Sequence, residues 1–503
     1  MKMKNGVLSA GFGILRQLLT LIFGLIVPRL FIRTYGSEMN GLISSLGTIY
    51  SYLALVEAGV GTVAIQALYG PVGREDKRSI NEIMAATAQF YYRAGWVYLL
   101  GVIAISVIYP LTVNTTVPFE TILILSLLHG TGGVINFWIQ GKYMVLLRAE
   151  GKQYLMSILA MVTYVGNNIL KLVLLNNGYD VLAIHLGGFV ISLAQMFFWI
   201  YYFRRNYKWI DFNAEPNKAA LSQSNAVFVQ QITWMLCTNT DILVLTYMTK
   251  DLKAVSVYTV YLMIYSTVEK LFSTFFGSFH YLLGQKYNTD RDGYMRYHRI
   301  YEGISMTGSF ALYTIAFILT EPFMRVYTAG ITDVQYVQKY LPFLFTFMHL
   351  MCASREACAR VINFAGHFKQ MQWRTILETT INLTVSVILA PSMGIYGVLL
   401  GTLASYIYRM NDVILYANKH LLKRSSWHTY KQWLWNLAIF GALSLVFRYF
   451  DLTVSSIAGF FMVAIPVGLS VSVVYFLSLW LFNKDAAQYL VNTYQRIVAR
   501  RNK

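Results

Sequence analysis

Residues Val7 to Ile32, VLSAGFGILRQLLTLIFGLIVPRLFI, decide the fold class. The stretch is long enough to cross a bilayer, for which about 20 apolar residues suffice. Yet Arg16 and Gln17 sit in its middle. Ser9, Gly13, Arg16, Gln17, Thr20 and Gly24 recur at steps of three and four, so a helix carries them on one face. Leu, Ile, Phe and Val fill the other face. A charge at bilayer depth costs at least about 3 kcal/mol on insertion scales. That cost falls where a polar face lines a wet cavity or meets a partner. The span reads as one of several helices whose polar faces surround a common hydrophilic path.

The rest of the chain has the same character. Its 503 residues are 56% hydrophobic and 13% charged, against roughly 25% charged in soluble chains. Apolar runs recur from end to end, and the alternating ten-residue segments of a membrane barrel are missing. The expected class is an all-α polytopic membrane protein. The net charge of +18 does not call for nucleic acid, because the basic residues gather in short loops between spans. Membrane lipid headgroups are sufficient partners for them. Cys237, Cys352 and Cys358 all lie in apolar spans, without disulfide or metal-ligand spacing. They are expected as packed thiols, with no metal and no cofactor. Met1-Lys2-Met3-Lys4 resembles a signal-peptide start, but the apolar part is too long and lacks a clear cleavage site. It is expected as an uncleaved first helix.

By length, about fourteen spans are expected. Six fall in residues 1–205, followed by a polar cytoplasmic linker at 206–224. Six more fall in 225–420, and 421–503 holds a further helix pair with a basic tail. Loop charge tests this order. Alternate loops, beginning with the N-terminus, carry most of the 41 Lys and Arg. The opposite loops hold only Arg33, Lys250, Lys253, Arg325, Lys339 and Arg448. That asymmetry predicts both termini in the cytoplasm. A weak internal repeat at an offset of 215 pairs Gly151 with Gly366, Asn167 with Asn382, Arg16 with Gln231 and Gly41 with Ser256. Two pseudo-symmetric six-helix lobes plus a terminal pair are the simplest plan. In repeat-built transporters the substrate path lies between the halves.

Other spans also carry polar faces. Gln230, Thr233, Cys237 and Asp241 share one, and Tyr261, Tyr265, Glu269, Ser273 and Gly277 share another. Glu356, Arg360 and Asn363 make a third, with Arg355 beside it. Each has a plain alternative. Glu356 and Arg360 also have the spacing of a mutually neutralising pair. Arg29 sits near a span end and fits snorkelling to headgroups. Tyr261 and Tyr265 fit helix packing, and Gly59 and Gly61 fit close helix approach. Taken together, cations facing a polar path suit an anionic ligand, and tyrosines with hydroxyl and amide neighbours suit sugars. P-loop, dinucleotide and metal-site signatures are absent and the loops are short, so no enzyme and no catalytic residue is expected.

From Leu18 to Tyr69 the chain resembles the Wzx-type polysaccharide and O-antigen flippases. These belong to the multidrug/oligosaccharidyl-lipid/polysaccharide exporter superfamily, which also holds the MATE exporters and the lipid II flippases. Ile26-Val27-Pro28-Arg29-Leu30-Phe31-Ile32-Arg33-Thr34-Tyr35-Gly36, Asn40-Gly41-Leu42 and Leu53-Ala54-Leu55-Val56-Glu57-Ala58-Gly59-Val60-Gly61 carry the resemblance. Thr240-Asp241-Ile242-Leu243-Val244-Leu245 and Val255-Ser256-Val257-Tyr258 extend it, with Ser256 where the family's glycine is expected. The resemblance implies a MATE-like fold and alternating access in a bacterial cytoplasmic membrane. It also implies a lipid-linked oligosaccharide on undecaprenyl diphosphate as substrate, with polysaccharide polymerase or other assembly proteins as partners. Carried over by position, it points to Arg16, Arg29, Glu57 and Asp241. Gln17, Tyr261, Tyr265, Glu269, Arg355 and Arg360 come from the face analysis. Arg16, with Arg355 or Arg360, is expected to hold the diphosphate. Glu57 is the candidate for a proton-carrying group, with coupling to H+ or Na+ left open. The rival functions are a MATE-like cation-coupled exporter, a lipid II flippase and a non-transporting scaffold.

Overall fold

The computed structural model describes residues 2–501 apart from Ala58, 222–230, 233–234, 236–238 and Asp451. Inside helices, the side chains of 2–18, 21, 153, 275, 277–279, 281–282, 285, 288–289, 292, 493–494 and 496–501 are also outside the described set. The described residues form helices and turns with no strand. Among them, 8 helices are long and apolar enough to cross a membrane. The chain is a polytopic helical membrane protein, divided into two compact units, Met1–Ser256 and Val257–Lys503.

In the first unit, α1 (Lys2–Leu53) is two helices joined at Gly36, whose φ of 85° and ψ of 168° are not helical. This turn separates the first two expected spans. The second of those is itself interrupted. Its first helix ends at Leu53, a 3-10 turn covers Ala54–Glu57, and α2 (Val60–Gly73) starts after Gly59 at φ 93°. A run of apolar residues passes through this break, which is why hydropathy alone did not reveal it.

Next come α3 (Lys77–Thr112) and α4 (Phe119–Ile135). The Asp76 carboxylate caps α3. It accepts from the Ser79 hydroxyl at 2.7 Å and the Ser79 N–H at 3.1 Å, bonds that hold its pKa below the ordinary carboxylate value. A π-helical turn, Asn136–Gln140, leads from α4 into α5 (Gly141–Ala149). Then follow α6 (Gln153–Asn176) and α7 (Val181–Asn206). Inside lipid, helices associate through close packing and not through hydrophobic exclusion, so small residues matter at contacts. Here glycines act as sockets for rings. A Cβ on Gly133 would stand 2.2 Å from the Tyr98 hydroxyl, and one on Gly95 would stand 2.2 Å from Trp138 Cδ1.

The helix α8 (Leu252–Thr289) begins in the first unit, where a Cβ on Gly41 would lie only 1.8 Å from the Leu252 carbonyl oxygen. Beside this contact, the Asn40 amide donates to Ser256 Oγ at 2.8 Å. The second unit continues with α9 (Arg291–Tyr327), α10 (Leu341–Ser354), α11 (Glu356–Phe364), α12 (Phe368–Met393) and α13 (Ile395–Tyr416). It ends with α14 (Trp427–Arg448), α15 (Ile457–Phe482) and α16 (Lys484–Arg501). Gly397 and Gly401 let α13 lie against the Leu389 backbone and Ser386 of α12. Cys352 and Cys358 are free thiols, while Cys237 lies outside the described residues.

The offset of 215 recurs in the helices themselves. Both α5 and α11 have 9 residues, and Gly141 and Glu356 start them. Each closes on a left-handed glycine, Gly151 at φ 73° and Gly366 at φ 70°. The closing bonds also match: Lys152 N to Leu147 O and Gly151 N to Arg148 O, then His367 N to Ile362 O and Gly366 N to Asn363 O. This is the paired bonding of a Schellman cap. The repeat stops at the helix break, since the counterpart of Gly59 falls inside the continuous α8.

Candidate functional site

The break between α1 and α2 closes the candidate span Ile22–Glu57 and gathers polar groups there. Glu57 ends the 3-10 turn, and α2 starts just beyond it. A helix N-terminus presents unpaired N–H groups and favours negative charge nearby. Tyr91 of α3 is buried, and its hydroxyl donates a hydrogen bond to Glu57 Oε1. Two glycines set this contact. A Cβ on Gly61 would stand 3.0 Å from the Tyr91 hydroxyl and 3.3 Å from Glu57 Oε1. One on Gly141 would stand 2.4 Å from Tyr91 Cε1.

A cavity of about 380 Å³ opens at this point. Its polar lining includes Ser51, Glu57, Tyr91, Asn136, Arg148 and Gln231. Arg148 comes from the last turn of α5 and stands within electrostatic reach of Glu57. Asn136 opens the π-helical turn, a distortion common at functional sites. The cavity therefore offers a carboxylate, a guanidinium, amides and hydroxyls together. Such a set can donate and accept hydrogen bonds and offers both signs of charge.

The second unit carries a chain of ion pairs. Arg355, between α10 and α11, lies 2.9 Å from Glu378 of α12, whose other oxygen is 3.3 Å from Arg409 of α13. Arg409 also lies 2.9 Å from Asp412, which pairs in turn with Arg374. Glu378 and Asp412 are almost fully enclosed. Arg360 sits 2.6 Å from Glu356, one turn before it on α11.

These contacts place the residues singled out by sequence. Glu57 lines the cavity. Arg16 and Gln17 fall on α1, but their side chains are outside the described residues. Arg29 is half-buried on α1, with its Nε buried and without a hydrogen-bond partner among the described residues. Asp241 is half-buried in helical residues 239–244. Arg355 and Arg360, expected as cations open to a phosphate, are instead engaged by Glu378 and Glu356. In a low-dielectric interior a nearby carboxylate is the less costly companion for a guanidinium. Tyr261 and Tyr265, expected to face sugars, are buried. The Tyr261 hydroxyl donates to Tyr336 O at 3.0 Å, and the Tyr265 hydroxyl to Pro342 O at 2.9 Å. Both rings stack near Phe345 of α10. Glu269 is mostly exposed, 3.9 Å from His349 Nε2.

Sequence reasoning missed Tyr91, Asn136 and Arg148. Tyr91 stands 34 positions from Glu57 and had no local signal. Arg148 reads from sequence as one more basic residue beyond an apolar span, but α5 makes it part of a helix wall.

No protein-family model and no curated protein matches the sequence. Solved structures do share the fold. A lipid II flippase, MurJ, in an inward closed conformation superposes with a TM-score of 0.70 at 14% identity, covering 95% of this chain and 99% of its own. An inward-facing MATE family multidrug resistance transporter of the MOP superfamily gives 0.64 at 14% identity, covering 84% and 95%. The MATE multidrug transporter DinF-BH, in complex with R6G, gives 0.57 at 12% identity, covering 82% and 95%. The chain thus shares its fold with these flippase and transporter structures.

Proposed function

We propose that this protein is a flippase of the bacterial cytoplasmic membrane that moves undecaprenyl-diphosphate-linked oligosaccharides from the inner to the outer leaflet by alternating access. In this reading two six-helix lobes and a C-terminal helix pair make about fourteen spans, with both termini cytoplasmic. Polysaccharide polymerase or other assembly proteins receive the product.

The polar cavity at the Glu57 break carries the reading. A sugar headgroup loses water when it enters hydrocarbon, and each unpaired hydroxyl costs on the order of several kcal/mol. Ser51, Tyr91, Asn136 and Gln231 offer replacement hydrogen bonds, and Arg148 offers a positive charge toward a phosphate. The lipid tail stays in the bilayer throughout. An inside-negative potential favours outward movement of negative charge by about 2.3 kcal/mol per charge per 100 mV. Glu57 is the group proposed to carry a proton in exchange, with Tyr91 fixing its orientation.

The fold relation to MurJ supports lipid II as a second candidate substrate. That match leaves only 5% of this chain uncovered, too little to omit the C-terminal pair α14 and α15.

Deletion of the protein followed by mass analysis of accumulated lipid-linked intermediates tests the proposal. An undecaprenyl-linked oligosaccharide should build up, and its glycan names the substrate. Accumulation of lipid II alone selects the second candidate, and no lipid-linked accumulation refutes both. For coupling, proteoliposome flipping should depend on the pH gradient and fall in Glu57→Gln. Insensitivity to both removes the proton from the mechanism.

A further inference from the structure

In the second unit, α8 and α10 bring a carboxylate and an imidazole together. Glu269 Oε2 of α8 lies 3.9 Å from His349 Nε2 of α10. Their surroundings differ. The Glu269 side chain is 57% exposed and the His349 side chain 8%, so water reaches the first and barely the second.

The His349 ring is fixed by its neighbours. Its Nδ1 lies 2.8 Å from Phe345 O. A carbonyl oxygen only accepts, so Nδ1 carries the hydrogen, and in the neutral ring Nε2 carries a lone pair. Tyr265 of α8 and Tyr313 of α9 lie against the ring, each with centroids 5.4 Å away. The Tyr265 hydroxyl donates to Pro342 O at 2.9 Å, so it is not a donor to Nε2. That nitrogen faces Glu269 with a lone pair, and the ionised carboxylate meets it with another. Two acceptors make no hydrogen bond, and 3.9 Å is longer than one. A single added proton makes the pair complementary, whichever atom carries it.

The other charges nearby do not remove this mismatch. Lys270 and Glu356 of α11, opposite in sign, both act on Glu269. Tyr313 has Cys352 of α10 and Tyr406 of α13 as further electrostatic neighbours. Arg355 is held by Glu378. A second pair in this unit shows the contrast. His280 Nε2 of α8 lies 3.5 Å from Glu356 Oε1, but Arg360 Nε is 2.6 Å from the same oxygen. The Tyr301 hydroxyl is 2.9 Å from His280 Nε2. There the carboxylate is already compensated and the imidazole already bonded.

We propose that Glu269 and His349 form a proton-binding site of the second unit, with Glu269 as its entrance from water. Uptake of the proton joins α8 to α10 by a charge-assisted hydrogen bond. Its loss leaves two acceptors facing each other. Proton binding stands on this geometry alone. Its use in exchange for a lipid-linked sugar rests on the proposed function, where the pair is a proton group additional to Glu57.

The test uses the purified full-length chain, with isotope-labelled histidine, in nanodiscs of zwitterionic lipid. Solid-state NMR follows the ring nitrogens from about pH 4 to 9, a range that brackets ordinary histidine titration. The chain has 8 His, and the signal missing from His349→Gln is that of His349. If that variant does not fold, added carbonyl-labelled methionine assigns the signal, because Met348–His349 is the one Met–His step in the sequence. The wild-type His349 signal should titrate. An ionised carboxylate nearby favours the imidazolium, so Glu269→Gln should weaken proton binding at His349 about tenfold or more. Glutamine is nearly isosteric and the position is exposed, so this variant keeps the fold. Equal proton affinity in wild type and Glu269→Gln, or a His349 signal that never titrates, overturns the site. The measurement contains no substrate, so its failure is separable from an absence of lipid-linked intermediates on deletion, which would refute the transport reading.

Discussion

A Cβ built on Gly141 would stand 2.4 Å from Cε1 of Tyr91. The close approach of α5 to α3 is therefore what aims the Tyr91 hydroxyl at Glu57. Gly141→Ala should push the ring aside, at an overpacking cost of about 1–3 kcal/mol. Better helix propensity returns no more than about 1 kcal/mol. Gly166, on α6, has no atom within 4 Å of its Cβ position, so Gly166→Ala should stabilise or be neutral. Thermal unfolding of both variants in detergent checks this. Equal shifts would refute the socket.

Tyr91→Phe separates the ring from its hydroxyl. The ring keeps its place against Gly141, and the lost hydrogen bond to the Glu57 carboxylate should cost about 1–3 kcal/mol of stability. The pH profile of flipping should change all the same, because the bond orients the proposed proton carrier. An unaltered profile in proteoliposomes would remove Tyr91 from the coupling path.

The ion pairs of the second unit predict two very different outcomes. Glu378 faces both Arg355 and Arg409 and is enclosed. Glu378→Gln leaves two guanidiniums short of a partner and should destabilise by about 3–5 kcal/mol. Arg360 is 36% exposed beside Glu356, and Arg360→Gln should cost less than about 1 kcal/mol. Denaturation midpoints distinguish the two. Loss of transport in Arg360→Gln at unchanged stability would return that arginine to the substrate path.

Gly151 and Gly366 have positive φ and open space around them. An alanine at either position meets no neighbour, so its penalty is that of the left-handed backbone alone, about 1–2 kcal/mol. Asparagine should recover part of it. Similar losses at both positions, measured by thermal unfolding, are the signature of equivalent caps in a repeated unit.

Much of the architecture was legible in the sequence. Hydropathy and span length are local properties, and a bilayer forces each long apolar segment into a helix that satisfies its own backbone. The offset joining Gly151 to Gly366 was legible for a related reason. A left-handed cap needs glycine wherever the plan repeats, so the residue survives when the surrounding side chains do not. Glu57 stood out because a carboxylate within an apolar run is costly enough to need an explanation.

The partners of these charges were decided only by the tertiary structure. Helical spacing tells which residues share a face, but not whether that face meets water, lipid or another helix. Tyr261 and Tyr265 share a face that α10 covers, and Arg355 and Glu378 meet across helices 23 positions apart. The Tyr91–Glu57 bond likewise exists because Gly61 and Gly141 let three helix segments converge. Sequence alone determined that charges enter the membrane; three-dimensional packing decided which of them were neutralised and which remained open to a ligand, because compensation in a low-dielectric medium depends on distance in space.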